Sequence, residues 1–76
     1  MVELVTEILK AIVDYPDKVQ VKEVEGERAV ILEIKVAPED IGKVIGREGR
    51  IINSLRQIVR AAAGRENKRV TLELIS

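Results

Sequence analysis

Residues 41–52 read Ile-Gly-Lys-Val-Ile-Gly-Arg-Glu-Gly-Arg-Ile-Ile, and the glycines at 46 and 49 govern how the rest of the chain is understood. They bracket Arg47 and Glu48. An apolar pair, Val44-Ile45, leads in, and an amphipathic run opening on Ile51 and Ile52 leads out. Neither glycine carries a Cβ, so an extended polyanion can come close to the backbone between them. The run after Gly49 has helical spacing, which leaves its first amides free and directed at the turn, where they favour a phosphate. The stretch therefore offers a phosphate seat flanked by cations.

Downstream of the turn, Ile51, Ile52, Leu55, Ile58, Val59 and Ala62 form the apolar stripe of a helix starting at Gly49. Arg50, Asn53, Arg56, Gln57 and Arg60 occupy its other positions, and Gly64 is placed to cap its C-terminus. Upstream, Pro38 suits the first position of a short helix over about 39–45, Glu39 and Asp40 suit its positive end, and Gly46 stops it. The N-terminal segment sets Val2, Val5, Ile8, Leu9, Ile12 and Val13 at spacings of three and four, an amphipathic helix ended by Pro16. Two strands follow, over 18–25 and 28–36, joined by a turn at Glu25-Gly26-Glu27, and they form an antiparallel hairpin. After a polar loop over 64–69, Val70, Leu72 and Leu74 alternate with Thr71, Glu73 and Ile75 as a last strand.

The order is helix, strand, strand, helix, helix, strand, which places the chain in the α+β class. A right-handed crossover from the second strand to the third makes those two parallel. The expected architecture is a three-stranded mixed sheet with three helices on one face. Ala29, Glu33, Lys35, Thr71 and Glu73 fall on the other face, where Ile31 and Ile75 add a small apolar patch.

The chain has 76 residues, the size of a single small domain spanning 1–76. Its hydrophobic fraction of 46% suffices for a core of Val, Ile, Leu and Ala, and Tyr15 is its one aromatic residue. With no Cys and no His, it lacks disulfides, thiolate metal ligands and the commonest general base. No apolar run nears the ~20 residues of a membrane span and no signal-peptide pattern opens the chain, so a cytoplasmic location is expected. Net charge is zero but unevenly spread. Residues 1–40 hold five basic and ten acidic side chains, net −5, and residues 41–76 hold eight and three, net +5. The glycine turn lies in the positive half, which suggests an anionic partner there.

An apolar pair, Gly-x-x-Gly and a hydrophobic residue two positions on, as in Val44-Ile45-Gly46-Arg47-Glu48-Gly49-Arg50-Ile51, resembles the signature of KH domains. The element order resembles the type II, prokaryotic arrangement over nearly the whole chain. The length and the run Asp40-Ile41-Gly42-Lys43-Val44-Ile45-Gly46 resemble the small bacterial single-KH proteins of the KhpA type. The resemblance implies binding of single-stranded RNA, with the loop clamping the sugar–phosphate backbone and about four nucleotides along a groove. It makes Gly46, Arg47, Glu48 and Gly49 the clamp, with Lys43 and Arg50 as flanking phosphate contacts. Ile41, Val44, Ile45 and Ile52 become candidates for the groove floor, with core and groove roles left open among them. Arg65, Lys68 and Arg69 would extend the positive surface, and a neighbouring strand edge would offer hydrogen bonds to bases. It further implies a role in RNA metabolism or as an RNA chaperone, and a homodimer or a heterodimer with a KhpB/Jag-type KH protein. No cofactor is implied. Glu48 departs from the basic or polar residues common at that loop position. It must point away, pair with an arginine, or weaken binding.

Other readings compete. A glycine corner can be purely structural, and Arg56 and Arg60 read more readily as a solvated helix face than as RNA ligands. Gly42, Gly46 and Gly49 match neither G-x-G-x-x-G nor the P-loop, and neither Ser54 nor Ser76 has a base to activate it, which argues against an enzyme. The absence of Phe and Trp argues against modules that stack bases on aromatic platforms. A protein-pairing module remains the alternative to RNA binding.

Overall fold

A computed structural model describes residues 1–64 and 69–75. Its elements are α1 (Val2–Ile12), β1 (Gln20–Glu25), β2 (Ala29–Lys35), α2 (Ile41–Ile45), α3 (Arg50–Ala63) and β3 (Arg69–Ile75). Single 3₁₀ turns at Pro16–Lys18, Pro38–Asp40 and Arg47–Gly49 join them. The sheet order is β1-β2-β3, with β1 antiparallel and β3 parallel to the central strand. This is the expected α+β architecture, a mixed three-stranded sheet covered by three helices.

The alternation of β2 decides which face is covered. Val30, Leu32 and Ile34 are buried, and the register sets them beside Val70, Leu72 and Leu74 of β3. Onto that face α3 lowers Ile52, Leu55, Val59 and Ala63, α1 lowers Val5 and Leu9, and α2 contributes Val44. Each set follows the period of its own element, 3.6 or 2 residues, so one aliphatic core forms without an aromatic side chain. The opposite face carries Lys22 paired with Glu33 and Glu33 with Glu73. Ile31 lies there between Val24 and Thr71, so Val24, exposed, joins the small apolar patch expected at Ile31 and Ile75.

Several boundaries differ from the sequence expectation. Helix α1 stops at Ile12, before Pro16 can act, because Val13 is already extended at φ −95° and ψ 160°. Lys18 sits in a 3₁₀ turn, and β1 starts only at Gln20. Gly64 follows α3 in the right-handed region, at φ −58° and ψ −20°, so the expected left-handed glycine cap is not what ends that helix. Arg65 and Lys68 of the polar loop lie outside the described residues.

Among the described residues one polar side chain is fully buried. Asp40, at the start of α2, accepts hydrogen bonds from the backbone N–H groups of Asp14 and Tyr15, each at 3.0 Å. These bonds fasten the segment leaving α1 to the helix that precedes the glycine corner. A buried carboxylate is tolerable only when hydrogen-bonded, and removing it strands its donors. Asp40→Ala is expected to cost roughly 2–4 kcal/mol of stability, measured as a lowered urea midpoint, with Asp40→Asn intermediate because one carbonyl acceptor survives. A midpoint equal to the parent's would show that the two bonds do not hold the fold together.

Candidate functional site

The corner between α2 and α3 is built from positive φ angles. Gly46 adopts φ 76° and ψ 173°, a region open essentially to glycine alone. Its N–H donates to the Gly42 carbonyl at 2.9 Å and closes α2. Glu48 (φ 58°, ψ 25°) and Gly49 (φ 76°, ψ 14°) are both left-handed. Gly46 is fixed by space as well as by torsion. A Cβ there would lie 2.7 Å from Ile51 Cγ1 and 2.9 Å from its Cβ, inside any permissible contact. At Gly49 a Cβ would meet Asn53 Nδ2 at 3.4 Å and Ile52 Cγ2 at 4.0 Å, both ordinary contacts, so that glycine answers to torsion alone.

The Gly49 N–H donates to the Gly46 carbonyl at 3.2 Å and the Arg50 N–H to the Arg47 carbonyl. The N–H groups of Arg47 and Glu48 have no backbone acceptor among the described residues. Both side chains are exposed. The Glu48 carboxylate stands 3.9 Å from the Arg50 guanidinium, with more than three quarters of each side chain in solvent. Of the three options open to Glu48, the structure shows it beside an arginine, in a loose pair of the kind that contributes about 0–1 kcal/mol.

The remaining candidates are distributed differently. Val44 and Ile52 belong to the core, Ile41 is half-buried against it, and Ile45 presents 38% of its surface to solvent. Of the four possible floor residues, Ile45 is thus the one with an open face. Lys43 pairs with the carboxylate of Asp14, and that hydrogen bond, ahead of the attraction of Asp40 and despite some desolvation, raises its pKa. Arg69 is exposed at the start of β3.

A groove of about 620 Å³ lies between α3 and β3, walled by Asn53, Arg56, Gln57 and Arg60 on the helix and Thr71, Leu72 and Glu73 on the strand. Asn53 borders Gly49, so the groove begins where the glycine corner ends. The Asn53 carbonyl accepts a hydrogen bond from Arg56 Nη1 at 3.0 Å, which leaves the amide donors on the corner side. Arg56 is half-buried, unlike the fully solvated face expected for it. The outer edge of β3 has no strand partner among the described residues. Asn53, Gln57, Thr71 and Glu73 are not singled out in the sequence as site residues, because only the packing of α3 alongside β3 brings them to one groove. Spacing along α3 does put 53, 56, 57 and 60 on one stripe, the single signal available.

A second groove, of about 280 Å³, is apolar. Ile8 and Ile12 of α1 face Ile51, Leu55 and Ile58 of α3, with Arg50 and Ser54 at its rim. Ile51 therefore borders this groove while packing against Gly46. Among the described residues no group of carboxylates is arranged to hold a metal ion, and no helix is long and apolar enough to cross a membrane.

The corner geometry orders the effects of substitution. Gly46→Ala is expected to be the most damaging, about 3 kcal/mol, since it meets both a glycine-only torsion and the Ile51 contact. Gly49→Ala should cost about 1–2 kcal/mol, the penalty of a left-handed residue. Glu48→Gly should be neutral or stabilising, because the same penalty is relieved there. Thermal melts of the three variants check the order, and an equal loss at Gly46 and Gly49 would contradict the steric assignment.

The family described as KhpA/KhpB, KH domain, matches residues 2–74. A protein of Clostridium acetobutylicum named RNA-binding protein KhpA is 57% identical over 99% of this chain and all of its own length. Its namesake from Caldanaerobacter subterraneus subsp. tengcongensis is 56% identical over the same shares. One from Borreliella burgdorferi is 43% identical over 97% of this chain and 90% of its own. No solved structure matched at a significant level. With its α-β-β-α-α-β order, its Gly-x-x-Gly corner and full-length relatives of this kind, the chain belongs to the KhpA/KhpB family of KH domains and is of the KhpA type.

Proposed function

We propose that this protein is a cytoplasmic RNA-binding protein, a single KH unit over 1–76, that clamps single-stranded RNA at Gly46-Arg47-Glu48-Gly49. The observation that carries the reading is the pair of N–H groups at Arg47 and Glu48 without a backbone acceptor among the described residues, set in the positive-φ corner beside the exposed Arg47 and Arg50 side chains. Amides in that arrangement hold a phosphate, and guanidiniums reinforce it. From the corner the strand of RNA runs along the groove between α3 and β3. There Ile45, Asn53, Arg56 and Gln57 meet sugars and bases, and the free edge of β3 offers backbone donors and acceptors. Lys43 joins the phosphate contacts, and Arg65, Lys68 and Arg69 widen the positive surface. Full-length relatives named RNA-binding protein KhpA support the ligand class. Binding rather than catalysis is the activity this reading gives the chain, which has no histidine and whose Ser54 hydroxyl donates to the Arg50 carbonyl at 2.8 Å.

Replacing Arg47 and Glu48 together by aspartate tests the clamp. Aspartate tolerates the left-handed torsion at 48, so the fold should survive while two carboxylates face the phosphate. Retention of unstructured RNA in a gel shift should vanish with the circular dichroism spectrum unchanged, and undiminished retention refutes the assignment. For about three phosphates engaged by the parent protein, log affinity should fall against log salt with a slope near −2.

A footprint of about four nucleotides binds weakly alone, and pairing raises affinity by avidity. The apolar groove between α1 and α3 supports pairing as a second reading, either with another copy or with a KhpB/Jag-type partner, the family description naming both kinds of domain. RNA chaperone activity would follow from two clamps acting on one transcript. Ile58, 44% exposed in that groove, is the residue to change. Ile58→Lys is expected to shift a dimer toward monomer in analytical ultracentrifugation. An unaltered oligomeric state would remove this surface from consideration.

A further inference from the structure

Lys43 stands one helical turn beyond Asp40 and one turn short of Gly46, within α2. Its ammonium is engaged by the carboxylate of Asp14, which lies just past the end of α1. Exposed ion pairs usually wander, because two solvated side chains must be held in one geometry. Here one end is short and its backbone is pinned. The Asp14 N–H donates to the buried Asp40 carboxylate at 3.0 Å, and so does the N–H of Tyr15. Asp40 and Lys43, three residues apart, lie on neighbouring positions of one helix face. The buried acid thus delivers the exposed acid to the lysine. The pair is not required to hold the loop in place, since the two backbone bonds to Asp40 do that. Both partners keep about half or more of their side chains in solvent, 46% for Lys43 and 65% for Asp14.

We propose that Asp14 is an internal stand-in for an RNA phosphate, occupying Lys43 in the free protein and yielding it only when RNA displaces it. The inference rests on the RNA-binding reading above and deepens it by naming a residue that regulates the same site. A lysine ammonium is a compact charge on a flexible four-carbon stem, so it can exchange one oxyanion for another by rotating its side chain. The exchange has a thermodynamic signature. A lysine free in solvent that meets a phosphate releases a condensed counterion, about 0.7 per contact for single strands. A lysine that first gives up its own carboxylate breaks an ion pair that salt itself weakens, and this offsets part of the salt dependence of the phosphate contact. The parent protein therefore binds less tightly and with a shallower salt dependence than its cations allow.

Fluorescence anisotropy with an unstructured oligoribonucleotide of about ten nucleotides, at several KCl concentrations, tests this. The proteins are the parent, Asp14→Asn, Lys43→Gln, the combination of the two, and the Arg47→Asp, Glu48→Asp clamp variant. Asp14→Asn keeps the backbone N–H that Asp40 holds, and Asp14→Ala checks that the new amide has found no other partner. Removing the carboxylate should tighten binding about two- to fivefold at low salt and steepen the log–log slope by no more than the ~0.7 of one phosphate contact. In the Lys43→Gln background the same change should do neither, which is the double-mutant criterion for action through the lysine. An equal gain in both backgrounds would mean that Asp14 merely repels RNA and would overturn the proposal, as would no gain in either. A clamp variant that binds like the parent brings down the RNA-binding reading and this inference together. A clamp variant that loses binding, beside an inert Asp14→Asn, brings down this inference alone.

Discussion

The contact between Gly46 and Ile51 sets the geometry on which the rest of the molecule turns. Helix α2 must end and α3 must begin within a few residues, and Ile51 fills the space that any Cβ at 46 would need. With that space taken, the backbone has one way through, and it runs through three successive departures from ordinary torsions at 46, 48 and 49. Among the described residues two amides, those of Arg47 and Glu48, are left without a backbone acceptor. Their freedom follows from how the helices are packed. The same isoleucine forms a wall of the apolar groove on the α1 side, so the corner and that groove share a side chain and cannot be altered independently.

A second constraint fixes α2 from its other end. Asp40 is buried, charged and served by two backbone donors that are 25 and 26 residues away in sequence. Helix α2 has only five residues and little propensity to persist alone. It is therefore stapled at its start by Asp40 and at its end by the glycine corner, with Val44 buried between them. A short helix held at both ends presents its flanking groups in one orientation, which is what a phosphate seat needs, since preorganised donors bind without first paying to be ordered.

Local pattern made most of the fold legible. The apolar periods of α3 and β2 located the core, and the paired glycines with Ile51 located the corner. What escaped was non-local. Asp40 reads in sequence as a residue complementing a helix dipole, and Lys43 as a free cation. Only the approach of the α1 exit reveals the first as an anchor and the second as already paired. Arg56 reads as solvated until β3 comes alongside and Asn53 binds it. Gly64 carries the residue type of a left-handed cap, yet it continues in the right-handed region. Glycine permits a positive φ without requiring one. By contrast, Glu48 takes a positive φ with a side chain attached, which no residue preference announces and which the glycines either side of it impose.

Charge balance over the whole chain is a poor guide to what such a surface attracts. The molecule measures 34 Å along its longest axis, whereas charges in physiological salt are screened beyond about 8 Å. Most of the ten carboxylates of residues 1–40 are spread over α1, the hairpin and the outer sheet face, so few of them act at the corner. Among the described residues three acids escape that screening by proximity, and buried Asp40, one turn from Lys43, is the first of them. Glu48 stands in the loop itself beside Arg50, and Asp14 reaches Lys43. Of the cations assigned to the corner, Lys43 and Arg50 thus each have a carboxylate neighbour, and Arg47 has no ion-pair partner among the described residues. The field at the corner is accordingly weaker than its sequence of basic residues implies, and the backbone amides supply a correspondingly larger share of any attraction for a phosphate. That balance favours a ligand held by shape and main-chain hydrogen bonds, released readily, and retained firmly only where a second site acts alongside the first.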